Sequence, residues 1–190
     1  SCVWNAKGND IYYQGNLDKE LPVDVMVSYM LDGQPIAPAE LAGKSGRGTI
    51  RFDYTNNQYE MVAINGRQEK VYVPFAMLTG LMLDNDVFTN VSVTNGKIMN
   101  DGDRTIVAGL AFPGLQESLG LDRDTLDLPD YVEITANVER FELETTVTLA
   151  VNELFNDAAS TMEDNDDLDG LGELDDKLDE LTDAMDQLID

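Results

Sequence analysis

Apolar and polar residues alternate along the chain from its start to about residue 151. In PVDVMVSYML (22–31) a run of apolar residues on odd positions begins at Val23 and ends at Leu31. GTIRFDYTN (48–56) repeats the pattern on even positions. Because a period of two places alternate side chains on opposite faces of an extended chain, both segments are predicted to be half-buried β-strands.

Dipeptides that favour tight turns separate several of these segments. Asn65-Gly66, Asn95-Gly96 and Asp101-Gly102 each lie between two strand-like stretches. Asn-Gly supplies two residues that tolerate positive φ, as the type I′ turn of a β-hairpin requires. The last two turns therefore predict a three-stranded antiparallel meander over residues 87–112.

The segment YVEITANVERFELETTVTLAVN (131–152) changes the parity of its apolar positions. They are even up to Val138 and odd from Phe141 onwards, so the change lies near Glu139-Arg140. A bulge or bend at that point would either move the buried face of the strand or pass the chain to a second sheet. Both devices favour two packed sheets over one flat sheet.

These patterns predict a mainly β fold, an antiparallel β-sandwich (Ig-like or related) over residues 1–152. The domain is either one sandwich or two smaller units divided near Val73. Two short helices are predicted within it, at PAEL (38–41) and GLQESLG (114–120).

The last part of the chain, residues 153–190, has a different composition and period. From Asp157 to Asp190 it holds 14 of the 37 acidic residues and only one basic residue. Apolar residues recur there at the 3-4 spacing of a coiled-coil seam, at Leu171, Leu174, Leu178, Leu181, Met185 and Leu188. We expect an acidic helical or coiled-coil segment, whose narrow stripe needs another helix or a face of the β domain as its partner. The expected partners are a protein or a second copy of the chain.

The charge balance excludes several classes of partner. With 12 basic and 37 acidic residues, the chain has a formal net charge of −25. Nucleic acids and anionic membrane surfaces bind clustered Lys and Arg, so neither is expected. The longest uncharged run, residues 71–83, is too short for a membrane-spanning helix, which needs about 20 apolar residues. Any membrane contact would therefore come from parts of a parent protein outside this chain.

The chain contains no histidine, so the commonest general base and the commonest transition-metal ligand are both missing. Zinc, haem and triad chemistry are not expected. The single cysteine, Cys2, cannot form an internal disulfide and is interpreted as an inert thiol.

The stretch ELAGKSGRG (40–48) contains the Gly-Lys-Ser of a phosphate-binding P-loop. That motif also needs a glycine where this chain has Pro38, and it runs from strand through loop to helix. Here a short helix is predicted to precede the glycines and a strand to follow them. We interpret the stretch as a connection whose glycines take positive φ and end the helix.

The tail offers one candidate metal site, of the EF-hand type. NDDLDGLGELDD (165–176) places Asn165, Asp167, Asp169, Gly170 and Asp176 at positions 1, 3, 5, 6 and 12 of a calcium loop. Position 1 is Asn where Asp is usual, and position 12 is Asp where the loop needs the longer Glu. Calcium is thus the one cofactor considered, with a solvated helix entry as the simpler interpretation.

Other groups of residues could also carry out chemistry, but each has a simpler structural interpretation. The carboxylates of Asp84 and Asp86, and those of the 122–127 segment, could serve as acid and base, but such clusters are expected in the turns of so acidic a chain. Trp4, Tyr12 and Tyr13 could form a platform for a sugar. Their simpler interpretation is as core and edge-strand residues.

Several long runs resemble a known group of proteins. They are DIYYQGNLDKELPVDVMVSYMLDGQPIAPAELAGKSGRGTIRFDYTNN, VPFAMLTGLMLDND, VTNGKIMNDGDRTIVAGLAFPGLQESLGL and PDYVEITANVERFELETTVTLA. They are similar to cell-envelope membrane proteins of Gram-positive anaerobes, the phage infection protein-like group with X-X-X-Leu-X-X-Gly heptad repeats. The likeness covers roughly residues 10–152, while the tail keeps heptad leucines without the regular Leu-x-x-Gly.

The resemblance implies extracellular β domains, a coiled coil and membrane anchoring, and no catalytic residues. We therefore expect a non-enzymatic extracytoplasmic structural or interaction module of a membrane-anchored bacterial surface protein. The alternative is a ligand-binding domain, for carbohydrate or calcium, in a transport or sensing protein.

Overall fold

The computed structural model of the protein describes residues 20–152 apart from Asn65, Leu121, Thr125 and Glu144, and gives Ile64 by its backbone alone. This part of the chain is mainly β, and all strand pairs described in it are antiparallel. The predicted helical tail lies outside the described residues.

Eleven strands and two short helices follow one another along the described residues. They are β1 (Val23–Leu31), β2 (Gln34–Pro35), α1 (Pro38–Leu41), β3 (Gly46–Asn56), β4 (Tyr59–Ile64), β5 (Arg67–Tyr72), β6 (Ala76–Asp84), β7 (Phe88–Thr94), β8 (Gly96–Asn100), β9 (Arg104–Ala111), α2 (Leu115–Leu119), β10 (Tyr131–Val138) and β11 (Thr146–Val151). Both predicted short helices are confirmed.

The strands form two larger sheets and one separate hairpin. The first sheet has the order β2-β1-β3-β10-β7, the second has the order β11-β6-β9-β8, and β4 pairs only with β5. Since β3 pairs with β10, segments on the two sides of Val73 lie in one sheet.

One hydrophobic core takes side chains from both larger sheets. Those from the first sheet include Ile50, Phe52, Val132 and Ile134, and those from the second include Met77, Leu81, Leu83 and Val107. The even positions of β10 are buried, as the alternation predicts. The change of parity near Glu139 is also confirmed as a change of sheet, because β10 belongs to the first sheet and β11 to the second.

The predicted meander over residues 87–112 is wrong in its first half. β8 and β9 form a hairpin around Asp101-Gly102, but β7 pairs with β10 and not with β8. Asn95 has the positive φ of 57° that its Asn-Gly signal predicts. Its carbonyl accepts a hydrogen bond from Leu110 N at 2.7 Å, and its side chain donates to Tyr131 O at 3.2 Å. The turn thus carries the chain from one sheet to the other.

The β4–β5 hairpin is confirmed. Ile64 pairs with Arg67 across a two-residue connection, and Gly66 has a φ of 79°. Within the described ranges, no helix is long and apolar enough to cross a membrane.

Candidate binding cleft

A cleft of about 300 Å³ opens where the end of β3 meets β5, α2 and the segment before β10. Its walls combine aromatic, amide and charged side chains. The lining residues are Tyr54, Thr55, Asn56, Tyr72, Phe112, Gly114, Gln116, Glu117, Arg123, Leu128 and Asp130. Residues far apart in sequence thus form a single concave surface.

Asn56 holds together the segments that surround the cleft. It is 6% exposed, and its side-chain nitrogen donates to Val73 O at 2.7 Å and to Pro113 O at 3.1 Å. Its side-chain oxygen accepts a hydrogen bond from Gln58 N at 2.9 Å. Because these bonds use both ends of the amide, Asn56 fixes the shape of the cleft and leaves ligand contacts to its neighbours.

The α2 wall depends on a close approach between Gly114 and Tyr72. Gly114 has a φ of 81°, and a Cβ placed on it would lie 2.6 Å from the Tyr72 ring. Ser118 Oγ accepts a hydrogen bond from Tyr72 N at 2.8 Å and donates to Gly114 O at 3.0 Å. Only glycine combines this backbone conformation with this contact, so the sequence Pro113-Gly114 sets the position of the aromatic wall.

Beside the cleft, Lys70 lies between two tyrosines. Its ammonium is 4.1 Å from the ring centroid of Tyr59 and 4.2 Å from that of Tyr72. It also donates a hydrogen bond to the Tyr72 hydroxyl at 2.5 Å, and this bond raises the pKa of Lys70 above its ordinary value. The ammonium therefore stays charged at neutral pH, and cation–π attraction orders both rings around it.

Charged groups of both signs surround the mouth of the cleft. Glu117 and Asp130 are exposed carboxylates, and Arg123 forms an ion pair with Asp127 at 3.1 Å. Gln116 Oε1 accepts a hydrogen bond from Leu128 N at 2.8 Å. Hydrogen-bond donors and acceptors thus lie around aromatic side chains. Such a site suits a ligand that has both polar groups and an apolar face, such as a peptide side chain or a sugar ring.

The carboxylates named as acid–base candidates lie in turns. Asp122 Oδ1 accepts a hydrogen bond from Asp124 N at 3.1 Å, and Asp84 Oδ1 accepts one from Asp86 N at 2.8 Å. A side chain that binds the backbone two residues on is the ordinary role of Asp in a turn. None of these carboxylates lines the cleft, but Asp127 pairs with Arg123, which does.

In the structure, the Gly-Lys-Ser stretch follows a helix and precedes a strand, which is the order of elements that argued against a P-loop. α1 ends at Leu41, Gly43 has a φ of 75°, and β3 begins at Gly46. Gly43 N donates to Phe141 O at 2.9 Å, and Phe141 N donates to Lys44 O at 2.8 Å. The interpretation of this stretch as a connection is confirmed, because its backbone pairs with the segment after β10.

The calcium candidate of Asn165, Asp167, Asp169 and Asp176 lies outside the described residues, as do Cys2, Trp4, Tyr12 and Tyr13. From Glu20 to Asn152, in the residues that are described, no group of three or more acidic or cysteine side chains is placed to hold a metal ion.

The sequence did not predict the cleft. Its walls come from four separate segments, and strand periodicity carries no information on how such segments meet. Pro113-Gly114 was the one local signal of an unusual backbone. Comparison of the chain with protein-family models, curated proteins and solved structures finds no match.

Proposed function

We propose that this chain is a non-enzymatic, extracytoplasmic β-sandwich module of a membrane-anchored surface protein. It would bind a protein partner through the "hairpin surface", which we define as Tyr59, Met61, Lys70 and Tyr72 with the adjoining cleft. The resemblance over residues 10–152 supports the location. The exposure of the hairpin supports the binding.

The observation that carries the proposal is the apolar surface of β4. Tyr59 is 50% exposed and Met61 is 56% exposed, and both lie on one face of a hairpin that belongs to neither larger sheet. Large apolar side chains that cluster on a surface mark interaction sites, and Tyr and Met are enriched there. Because Lys70 and Gly114 already hold Tyr72 in place, little side-chain freedom would be lost on binding.

The partner that fits this surface is a basic peptide segment. A net charge of −25 attracts cations over a distance, and the exposed carboxylates of Glu117 and Asp130 lie beside the aromatic groups. An Arg or Lys side chain has the apolar stem and the charged head that such a site accommodates.

Selection of a displayed random-peptide library on the purified chain tests this proposal. We expect the enriched peptides to carry Lys or Arg and to lose binding to the double variant Tyr59→Ser/Met61→Ser. Ile98→Ser is the matched control, because Ile98 is 40% exposed on β8, away from the hairpin. Peptides that bind both variants equally well would contradict the proposal.

A saccharide is the second candidate ligand, and the cleft itself favours it. Tyr54, Tyr72 and Phe112 line one concavity with Glu117 and Asp130. Saturation-transfer NMR with neutral hexose and N-acetylhexosamine oligosaccharides would detect such binding. Glu117→Gln should weaken the signal, while Glu60→Gln on the hairpin should leave it unchanged. Equal signals from the two variants would place the sugar elsewhere.

The tail would add self-association to this module. The heptad spacing of Leu171 to Leu188 supports the proposal, and light scattering of the full chain measures it. Leu174→Asp/Leu181→Asp should lower the mass to that of a monomer, whereas Thr182→Asp should not. A chain of monomeric mass before any substitution would exclude self-association through the tail.

A further inference from the structure

The rings of Tyr59 and Tyr72 surround a cation on the hairpin surface. The two residues pair directly across β4 and β5, and their ring centroids are 6.0 Å apart at an interplanar angle of 63°. Lys70 lies two residues before Tyr72, so its side chain is on the same face of the hairpin. Its ammonium is 4.1 Å from one ring centroid and 4.2 Å from the other. The ammonium therefore lies in the opening between the two rings rather than on the line that joins them.

Three kinds of group favour a positive charge at this point. The face of an aromatic ring attracts a cation, and the Tyr72 hydroxyl accepts a hydrogen bond from Lys70 Nζ at 2.5 Å. The pKa of Lys70 is raised first by this hydrogen bond and further by the negative charge of Glu117. Two ring faces, a hydroxyl acceptor and a carboxylate are the groups that a bound ammonium needs.

The position of the rings does not depend on Lys70 alone. Ser118 Oγ accepts a hydrogen bond from Tyr72 N, and the Tyr72 ring is packed so closely on Gly114 that a Cβ there would lie 2.6 Å from it. Strand pairing places Tyr59 opposite Tyr72. Removal of the Lys70 ammonium would therefore leave the cation site formed and vacant.

Lys70 can leave the site at a small cost. It is a half-buried residue on the hairpin, and its ammonium is carried on a flexible four-carbon stem. Once the stem turns outwards, water replaces the hydrogen bond to the Tyr72 hydroxyl and hydrates the charge. A second ammonium could then take the same position between the rings.

We propose that Tyr59 and Tyr72 form a binding site for the lysine side chain of a partner peptide, and that Lys70 occupies this site until the partner displaces it. The inference rests on the proposed function of the hairpin surface and identifies the side chain that anchors the basic peptide. A guanidinium stacks flat on one ring, whereas two inclined rings around one point suit a compact ammonium. The stem of the incoming lysine would pack on Met61, which pairs with Lys70 and is 56% exposed.

Occupancy by Lys70 sets how tightly such a ligand binds. Because the ligand binds only when the site is vacant, its apparent affinity is reduced in proportion to the vacant fraction. A side chain of the same hairpin competes at a high effective concentration. If Lys70 fills the site in about nine molecules out of ten, its removal raises the affinity about tenfold.

Titration of the full chain with tetramethylammonium, followed by NMR of the tyrosine ring protons, tests the inference without a peptide. We expect Lys70→Ala to bind this cation about tenfold more tightly than the wild type does. Lys70→Arg keeps a cation in place and should show no gain. Lys70→Ala/Tyr59→Leu should lose the gain, because one ring face is removed. Arg67→Ala is the matched charge control, since it removes the same charge from the opposite face of the same strand.

Two results would overturn the inference. Equal affinities of Lys70→Ala and the wild type would show that the rings form no site for an external ammonium. An equal gain in Arg67→Ala would assign the effect to net charge.

The peptide selection described above distinguishes this inference from the proposed function. Peptides that bind through Tyr59 and Met61 but gain nothing from Lys70→Ala would retain the hairpin surface and overturn the exchange with Lys70. A gain for tetramethylammonium without any enriched lysine peptide would retain the ammonium site and contradict the proposed partner.

Discussion

Tyr54 on β3 and Thr79 on β6 share a buried hydrogen bond that crosses the core from the first sheet to the second. Tyr54 is 4% exposed and Thr79 is fully buried. Thr148 on β11 also acts on the Tyr54 hydroxyl, because it lowers the pKa of that group against the larger, opposite effect of burial. The same residue lines the cleft, which places a polar link between the sheets directly behind the candidate binding surface.

Removal of this hydroxyl should destabilise the fold. Tyr54→Phe leaves the buried Thr79 hydroxyl without its tyrosine partner, so we expect a loss of about 1–3 kcal/mol in the free energy of unfolding. Urea denaturation measures the change. Tyr59→Phe, on the exposed hairpin, should stay within about 0.5 kcal/mol of the wild type.

The double variant Tyr54→Phe/Thr79→Val distinguishes two costs: the loss of the hydrogen bond itself, and the burial of a hydroxyl that has lost its partner. Since it removes both partners of the bond, it should be more stable than the sum of the two single changes indicates. Strict additivity would mean that the two hydroxyls do not interact.

The stability of the protein at alkaline pH should depend on Tyr54. Burial raises the pKa of Tyr54 above that of a free tyrosine, and its bonds to Thr79 and Thr148 act in the opposite direction. Above about pH 10 the unfolded chain loses this proton more readily than the folded chain does, so stability falls as the pH rises. Below about pH 10 the contribution is fully present.

Urea denaturation of the wild type and of Tyr54→Phe across this range isolates the effect from the other tyrosines. The free energy of unfolding should fall more steeply with pH for the wild type. Parallel curves for the two proteins would show that the pKa of Tyr54 is not raised by folding.

The sequence predicted where the strands lie along the chain better than it predicted which strands pair with one another. Alternation depends on which side chains share a face, and this was sufficient for the buried positions of β10 and for the change of sheet after it. Asn95 has the positive φ that Asn-Gly favours, but Gly96 does not, so the type I′ turn of a hairpin is not formed there. From the sequence, the dipeptide fits either a hairpin or a crossing between sheets. The pairing of β7 with β10 decided between the two, and it joins residues about 40 positions apart.

The sequence predicted which face of a strand a side chain points to better than it predicted whether that side chain is buried. Val25 and Val27 lie on the core side, as the pattern in β1 indicates, yet both remain exposed. Orientation follows from the strand alone, whereas burial depends on what packs against that strand. The cleft was not predicted for a similar reason. Its walls are formed by contacts between segments that are distant in sequence, and the periodicity of one segment does not indicate such contacts.

The contact between Gly114 and Tyr72 should make the first residue intolerant of a side chain. Gly114→Ala would place a methyl group 2.6 Å from the Tyr72 ring, and we expect it to cost about 1–3 kcal/mol beyond any backbone strain. Gly120→Ala is the matched control, because Gly120 also has a positive φ, of 59°, but has no atom within 4 Å of the added group.

Thermal unfolding of the two variants measures the difference, and near-ultraviolet circular dichroism reports on the Tyr72 environment. The tyrosine signal should change only in Gly114→Ala. Equal losses of stability in the two variants would assign the cost to the backbone alone.

Arg51 should contribute more to stability than an exposed arginine does. On β3 its guanidinium lies 3.7 Å from the ring centroid of Tyr131 and pairs with Asp53 at 2.8 Å and Glu133 at 3.4 Å. These contacts bridge β3 and β10, and the Arg51 side chain is 30% exposed. We expect Arg51→Ala to cost about 1–2 kcal/mol, since a ring contact adds to a partly desolvated charge network.

Arg123→Ala provides the comparison, because Arg123 forms an exposed ion pair with Asp127 and its side chain is 57% exposed. Its loss should cost about 0.5 kcal/mol or less. Arg51→Lys should fall between the two, since lysine keeps the charge but lacks the planar fork that binds two carboxylates and covers the ring. Urea denaturation at low and high salt measures all three variants. If Arg51→Ala and Arg123→Ala lost equal stability, the network on β3 and β10 would be no stronger than an ordinary surface ion pair.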